Sequence, residues 1–302
     1  MIGEFVTLPG GRFLMGSDDF YPEEGPVHEV EVGPFDLGRY AVTNAEFDRF
    51  VRETGYRTVA ELPVDLAQLA HDSGDSGDPL QPVVPRDPGS LVFTPTDHPV
   101  DLNDWRQWWK WVPGASWCHP YGPESSIVGV DDHPVVQIAF EDASAYASWA
   151  GARLASEQEW EYAARGGLDA ATFAWGEEPN DGLRANTWQG HFPYENHGAR
   201  GWVYTAPVGS FAPNGFGLHE MTGNTWEWTT AVWGDRHRMP DSCCPQDSGK
   251  AGVSTRGSRV LKGGSHLCSP EYCLRYRPAA RSQQTEDSAT THIGFRIARD
   301  PL

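Results

Sequence analysis

Alternating apolar and polar residues predict short strands in the first part of the chain. Residues 5–16 contain two apolar stretches around Pro9, Gly10 and Gly11, which is typical of two short strands joined by a turn. Residues 28–32 alternate between polar and apolar side chains with the period of two that a half-buried strand shows. The beginning of the chain is therefore predicted to be β-structure.

Up to three helices are predicted from their capping residues. The first should begin after Thr43, because Glu46 completes a capping box three residues later, and it should end at Gly55. A second should cover residues 141–150, and a third should begin after Ser156, where the same box recurs. Beyond residue 173 the pattern contains only short strands and turns. The prediction is an α+β fold.

The composition indicates a packed domain with much irregular backbone. The chain has 302 residues, of which 33 are Gly, 24 are Pro and 13 are Trp. The Gly and Pro content stays below the level of disordered chains, and the tryptophans also argue against disorder. No repeat and no linker composition divide the chain. We therefore expect a single domain over residues 1–302 with little regular secondary structure.

Acidic residues outnumber basic ones by 42 to 23, which gives a formal net charge of −19. This charge repels the phosphates of nucleic acids and of anionic membrane surfaces, so neither is an expected partner. No stretch approaches the roughly 18 apolar residues that a membrane-spanning helix needs. The first residues also lack the basic and apolar regions of a signal peptide. The expected location is the cytoplasm.

The five cysteines are Cys118, Cys243, Cys244, Cys268 and Cys273. A low, odd count in a long chain does not indicate a secreted disulfide framework, and no catalytic role is expected for the first three. Cys268 and Cys273 are spaced so that only bent backbone brings the two sulfurs together. The spacing leaves three roles open for the pair: structural or inert cysteines, a redox dithiol, or a site for one soft metal ion. Structural zinc takes four ligands, so two thiolates alone suit Cu(I) better.

Residues 214–228 combine glycine turns with carboxylate and amide side chains. Oxygen ligands on turned backbone are those that Ca²⁺ prefers, although the spacing of an EF-hand is missing. A plain turn is the simpler interpretation of the composition. No P-loop, Rossmann glycine pattern, H-E-x-x-H or G-x-S-x-G occurs in the chain.

These segments resemble the formylglycine-generating enzymes of the sulfatase-modifying factor family. The matching stretches extend over nearly the whole chain and comprise residues 8–17, 133–136, 153–167, 185–190, 214–228, 281–283 and 294–296. The scaffold motifs are shared with non-enzymatic relatives, whereas the pair of Cys268 and Cys273 distinguishes the enzymes. The resemblance implies an elaborated C-type-lectin-like fold in one irregular domain.

The resemblance also implies a reaction. Enzymes of this family oxidise the cysteine of a C-x-P-x-R motif in an unfolded sulfatase to Cα-formylglycine with O₂. Cys268 and Cys273 would hold Cu(I), and the substrate thiolate would join them as a third ligand. A hydrogen would then leave the substrate Cβ, and the resulting thioaldehyde would hydrolyse. Ser265, Tyr272 and Trp226 match positions at the reaction pocket.

Two structural calcium sites are implied in the same way. Asn186 and the main-chain carbonyls of Thr187 and Trp202 match the first site. Arg200 stands where its acidic ligand should be, so another oxygen, such as that of Asn196, would have to replace it. The second site would use two carboxylates and two main-chain carbonyls, from Glu220, Glu227, Gly223 and Thr225. The extra disulfide cysteines of secreted relatives are missing, in agreement with a cytoplasmic, bacterial-type enzyme.

Two other functions fit parts of the sequence. A non-catalytic C-type-lectin-like binding module would share the scaffold, but the two retained cysteines argue against it. A thiol–disulfide oxidoreductase would also use a dithiol, but its typical C-x-x-C motif is missing.

The arginine of the substrate motif predicts an acidic groove on this acidic chain. A carboxylate in the groove should pair with that arginine in a charge-assisted hydrogen bond. Residues 72–117 combine acidic side chains with a cluster of tryptophans, and they are the candidate wall of the groove.

Overall fold

The computed structural model describes residues 3–63, 87–237 and 257–301. The α-helices in these ranges are α1 (Asn44–Thr54), α2 (Phe140–Trp149) and α3 (Glu157–Arg165). The strands there are β1 (Phe5–Leu8), β2 (Gly11–Met15), β3 (His28–Val32), β4 (Phe35–Gly38), β5 (Gly89–Phe93), β6 (Trp109–Pro113), β7 (Arg153–Leu154), β8 (Trp226–Val232), β9 (Ser258–Lys262), β10 (Arg281–Thr285), β11 (Ile293–Gly294) and β12 (Ile297–Arg299). None of the helices found in the described ranges is long and apolar enough to span a bilayer.

α1 and α3 begin where their capping residues predict. The main-chain N–H of Thr43 donates to Glu46 Oε2 over 2.9 Å, and the same box precedes α3 at Ser156. α2 begins one residue earlier than predicted, with the Asp142 carboxylate accepting from the main-chain N–H of Ala139. Such caps satisfy N–H groups that have no partner within the helix. Local side chains therefore fix the start of each helix.

The strands assemble into two four-stranded sheets and two two-stranded ribbons within the described ranges. The first sheet has the order β1-β4-β12-β7, and the second has the order β10-β9-β8-β11. β2 pairs with β3 and β5 pairs with β6, each in antiparallel register. The two strands predicted at residues 5–16 are confirmed, but they pair with different partners, so the turn at Pro9 connects a sheet to a ribbon.

The main core packs α1 and α2 against β8 and the end of the chain. Phe47 of α1 is fully buried and stacks on Tyr146 of α2, with ring centroids 5.8 Å apart. Trp226 at the start of β8 and Cys268 belong to the same cluster and are 5% and 2% exposed. Two of the predicted site residues are therefore held by the core itself, which restricts their movement.

A buried ion pair connects the two sheets. Glu227 on β8 accepts two hydrogen bonds from Arg296, from Nε to Oε2 over 2.7 Å and from Nη2 to Oε1 over 2.8 Å. Both side chains are 1% exposed. Trp160 Nε1 of α3 also donates to Glu227 Oε2 over 2.7 Å. Arg296 Nη1 donates to the carbonyl of Gly38 at the end of β4, so one charged group ties both sheets and α3 together.

Glu227→Gln should lower the free energy of unfolding by about 3–5 kcal/mol, because it leaves the buried guanidinium of Arg296 without its counter-charge. Urea unfolding followed by tryptophan fluorescence measures the change. Glu29→Gln, at an exposed pair with Arg12, is the matched control and should leave the midpoint nearly unchanged. Equal midpoints for the two variants would contradict the structural role of Glu227.

Candidate active site

Cys268 and Cys273 lie on the irregular connection between β9 and β10, which spans residues 263–280. Gly263 and Gly264 both have positive φ, at 96° and 70°. A Cβ on Gly264 would lie 2.8 Å from the main-chain oxygen of Arg275, so only glycine lets the two ends of the connection approach this closely. The bend brings the two sulfurs to 3.3 Å from each other. The predicted proximity of the thiols is therefore present in the structure.

The two thiols are free and differ in their ionisation. Their separation exceeds the roughly 2.05 Å of a disulfide bond. Burial opposes ionisation of Cys268, but hydrogen bonds from the Cys273 thiol and the Ser265 N–H outweigh it and hold the pKa below its ordinary value. The pKa of Cys273 lies well above its ordinary value, because its thiol donates to Cys268 and because it is buried. The pair is poised to hold one proton between two sulfurs.

Thiolate absorbance at 240 nm should show this asymmetry in a variant with Cys118, Cys243 and Cys244 replaced by Ser. One thiolate should form at lower pH than in a free cysteine, and the second should form at much higher pH. Cys273→Ala should move the first step upward, because the thiolate of Cys268 loses a hydrogen-bond donor. A single joint step at the ordinary cysteine pKa would contradict the asymmetry.

The thiols open into a pocket of about 310 Å³. Its walls are mainly aromatic, from Phe93, Trp108, Trp109, Phe192, Trp226 and Tyr272. The rings of Tyr272 and Phe192 stack with centroids 4.8 Å apart and planes 1° apart, and Trp108 meets Tyr272 edge-on at 5.3 Å. A wall of this kind excludes water and strengthens electrostatic interactions within the pocket.

The structure brings all five predicted catalytic residues to this pocket: Cys268, Cys273, Ser265, Tyr272 and Trp226. The main-chain N–H of Ser265 lies 3.4 Å from the sulfur of Cys268. The N–H of Trp226 donates to the carbonyl of His292 over 2.9 Å, which ties the start of β8 to the residue before β11. Tyr272 is 40% exposed and stands at the rim.

His292 lines the pocket, although the sequence offered it only as a histidine that could lie near the cysteine pair. Its ring packs against Trp109 at 4.8 Å, and its Nδ1 lies 3.1 Å from the hydroxyl of Thr290. Burial, together with the nearby His266, lowers the pKa of His292 to about 3. The imidazole is therefore neutral at physiological pH and adds no charge beside the thiols. A lone histidine followed by Ile293 and Gly294 carried no spacing signal that could have identified it.

The described lining of the pocket contains no carboxylate, in contrast to the predicted acidic groove. Its charged side chain is Arg275, which binds Glu23 over 2.6 Å. Trp108 and Trp109 from the candidate wall do line the pocket. Much of that wall, residues 72–86, lies outside the described residues. Two tryptophans of the candidate wall therefore lie at the pocket, whereas no carboxylate of the described residues does.

The first predicted calcium site has one free oxygen. Asn186 is fully buried, and its Oδ1 has no hydrogen-bond partner among the described residues. Its Nδ2 donates to the carbonyl of Tyr204 and to Asn224 Oδ1, over 2.8 and 3.0 Å. Asn196, the suggested replacement for the acidic ligand, uses its Oδ1 to accept two main-chain N–H groups. Arg200 turns to the carbonyl of Ser210.

The second predicted calcium site is not supported by the structure. Both oxygens of Glu227 are bound by Arg296, and one of them is also bound by Trp160. Each oxygen of Glu220 accepts a main-chain N–H, from Gly209 and Phe211. A cation there would be repelled by the guanidinium of Arg296. The main-chain carbonyls of Gly223 and Thr225 would therefore have no free carboxylate beside them with which to share a calcium ion. No cluster of three or more His, Cys, Asp or Glu able to hold a metal ion occurs in the described ranges.

Comparison with known proteins identifies the family of the chain. Residues 1–301 match the Sulfatase-modifying factor enzyme 1-like domain. The chain belongs to the sulfatase-modifying factor family. It is 56% identical over 308 residues to the formylglycine-generating enzyme of Mycobacterium tuberculosis, covering 100% of this chain and 99% of that protein. It is 45% identical to the formylglycine-generating enzyme of Thermomonospora curvata, over 98% of this chain and 93% of the relative.

The fold of the family is confirmed by a solved structure. The structure of PvdO from Pseudomonas aeruginosa matches with a TM-score of 0.62 and 27% sequence identity, over 99% of this chain and 95% of that chain. The predicted α+β fold and the family resemblance are therefore both confirmed. The sulfatase-modifying factor scaffold accounts for the small proportion of regular secondary structure.

Proposed function

We propose that this protein is a formylglycine-generating oxidase. Its substrate would be the cysteine of a C-x-P-x-R motif in an unfolded sulfatase polypeptide, its oxidant O₂ and its cofactor Cu(I), and its location would be the cytoplasm. The observation that carries the proposal is the pair of free thiols, 3.3 Å apart, at the wall of an aromatic pocket. The curated relatives named formylglycine-generating enzymes, at 56% and 45% identity, support the same activity.

The two thiols suit a soft, two-coordinate ion. Cys268 and Cys273 are both reduced and close enough to bind one metal ion. The described residues offer no third or fourth ligand of the kind that a structural zinc site needs. Thiolate ligands select Cu(I) among the biological metals of low coordination number. Bound copper would supply the one-electron and O₂ chemistry that side chains lack.

The residues of this chain prepare the pocket for that ion. Metal binding requires deprotonated ligands, so Cys273 must lose the proton that it donates to Cys268. Arg275 lines the pocket, and its positive charge favours the thiolate form of both cysteines, which offsets part of the rise in the pKa of Cys273. Tyr272 and Phe192 form an apolar face on which a substrate peptide can pack while water is excluded.

Cys268→Ser and Cys273→Ser should each abolish formylglycine formation, because either change leaves a single soft ligand. The assay incubates the protein with Cu(I) and a C-x-P-x-R peptide in air, and mass spectrometry detects the aldehyde. Cys118→Ser is the matched control, since this free cysteine lies outside the pocket, and it should keep most of the activity. Full activity of Cys273→Ser would contradict the dithiol mechanism. A wild-type protein that makes no aldehyde would favour a non-catalytic binding module.

A structural Ca²⁺ at Asn186 is part of the proposal. An oxygen that is buried without a hydrogen-bond donor is costly, and a cation would satisfy it. The carbonyl oxygens of Thr187 and Trp202 are the further ligands that we propose. This site lacks a carboxylate, so we expect weaker binding than at a site with acidic ligands.

Chelation of Ca²⁺ should lower the melting temperature of the wild-type protein, because a ligand that binds only the folded state stabilises it by mass action. Asn186→Ala should remove this response. Asn180→Ala is the matched control: the Asn180 side chain makes three hydrogen bonds in the same loop, one of them to the Thr187 hydroxyl, so the variant loses local hydrogen bonds but should keep the calcium response. Differential scanning calorimetry with chelator and with added Ca²⁺ tests both variants. A wild-type melting temperature that ignores both additions would contradict the site.

A further inference from the structure

The two thiols are held by different parts of the chain. Cys268 is fixed locally, in a turn where its N–H donates to the carbonyl of Ser265 over 2.9 Å and its sulfur faces the N–H of Ser265. Cys273 is followed by Leu274, whose N–H binds a side chain that is distant in sequence and whose carbonyl binds a side chain three residues further on. The N–H of Leu274 donates to the hydroxyl of Tyr21 over 3.2 Å, and its carbonyl accepts from Arg277 Nε over 2.8 Å.

Residues 20–24, here called the N-terminal clamp, hold the guanidinium of Arg277. Glu24 and Arg277 form a bidentate pair with distances of 2.8 and 2.5 Å, and they are 0% and 1% exposed. The ring of Phe20 lies 3.7 Å from the centre of the Arg277 guanidinium. This pair is buried and charge-assisted, so the carbonyl end of Leu274 has a rigid anchor.

The clamp holds the N–H end of Leu274 through Tyr21. The Tyr21 ring lies 4.0 Å from the guanidinium of Arg275, which in turn binds Glu23 over 2.6 Å. Arg275, held in place by Glu23, therefore packs on one face of the Tyr21 ring and fixes its orientation. The Tyr21 hydroxyl reaches the peptide that directly follows Cys273.

The segment between the thiols holds Cys273 from the N-terminal side. The N–H of Cys273 donates to the carbonyl of the buried Ser269 over 2.6 Å, and the ring of Tyr272 before it stacks on Phe192. The peptide that joins Cys273 to Leu274 is held from the other side, where the N–H of Leu274 donates to the hydroxyl of Tyr21. The anchors on Leu274 therefore complete the positioning of Cys273.

We propose that Tyr21 is a positioning residue that places Cys273 opposite Cys268 for the binding of one soft metal ion. The inference rests on the proposed dithiol site and adds to it a residue 253 positions away in sequence from the peptide that it holds. Tyr21 acts through a single hydroxyl, so the role can be removed without disturbing the stacked ring.

Tyr21→Phe keeps the ring on Arg275 and removes the acceptor for the Leu274 N–H. It should weaken Cu(I) binding by roughly three- to tenfold, the factor that one hydrogen bond is worth. Competition with a chromophoric Cu(I) chelator measures the affinity. Tyr162→Phe is the matched control, since its hydroxyl donates to the carbonyl of Gly10 over 2.7 Å outside the pocket. An unchanged affinity in Tyr21→Phe, or an equal loss in both variants, would overturn the proposal.

A second measurement is independent of copper and of activity. Phenylarsine oxide binds two neighbouring thiols together, and its capture by the thiol pair can be followed in protein whose Cys118, Cys243 and Cys244 are replaced by Ser. Tyr21→Phe should bind the arsenical several-fold more weakly than the parent does, and Tyr162→Phe should match the parent. If the wild-type protein fails to bind Cu(I) but this difference persists, the copper assignment is wrong and the positioning role stands. Equal capture by all three proteins would refute the role of Tyr21.

Discussion

The buried pair of Glu24 and Arg277 is the interaction on which the candidate site depends. The connection that carries both thiols runs for 18 residues without a strand or helix, so ladder hydrogen bonds cannot hold it. Arg277 replaces them with one side chain, since it binds Glu24 twice and the carbonyl of Leu274 once. Burying two charges is costly, and such a pair adds specificity of geometry rather than stability. Glu227 and Arg296 form a second buried pair of this kind, and Arg296 also binds a main-chain carbonyl. In both places a buried arginine holds backbone that lies outside the sheets.

The elements that sequence predicted well are those that local residues determine. The capping boxes at Thr43 and Ser156 involve side chains three residues apart, so a short window contains the whole cause of each helix start. Strand pairing has no such local cause. β1 and β2 are separated by a turn of two residues, yet β1 pairs with β4 and β2 with β3. The register follows from which faces the core buries, and this becomes visible only in three dimensions.

The candidate site divides in the same way. The spacing of Cys268 and Cys273, with glycines before them, showed only that a bend would be needed for the sulfurs to meet, and the family resemblance implied that they do. The partner of Glu227 could not be predicted, because a carboxylate in a Gly-rich segment suits a calcium ion and a guanidinium equally well. Arg296, which decides between them, lies 69 residues further along the chain. Tyr21 had no signal at all, since its partner peptide is 253 residues away. Chemistry that depends on residue type is thus predictable, and chemistry that depends on the partner is not.

The net charge of −19 and the chemistry of the pocket require opposite environments, and the structure separates them. A carboxylate beside the two thiols would raise the pKa of both and oppose the thiolates that a soft metal needs. The described pocket lining has none, and its charged side chain is Arg275. Much of the remaining basic charge is neutralised inside the protein, where Lys262 binds Glu161 and Arg281 binds Glu157. Exposed acidic groups would attract the proposed cationic substrate peptide at long range without raising the pKa of the two thiols.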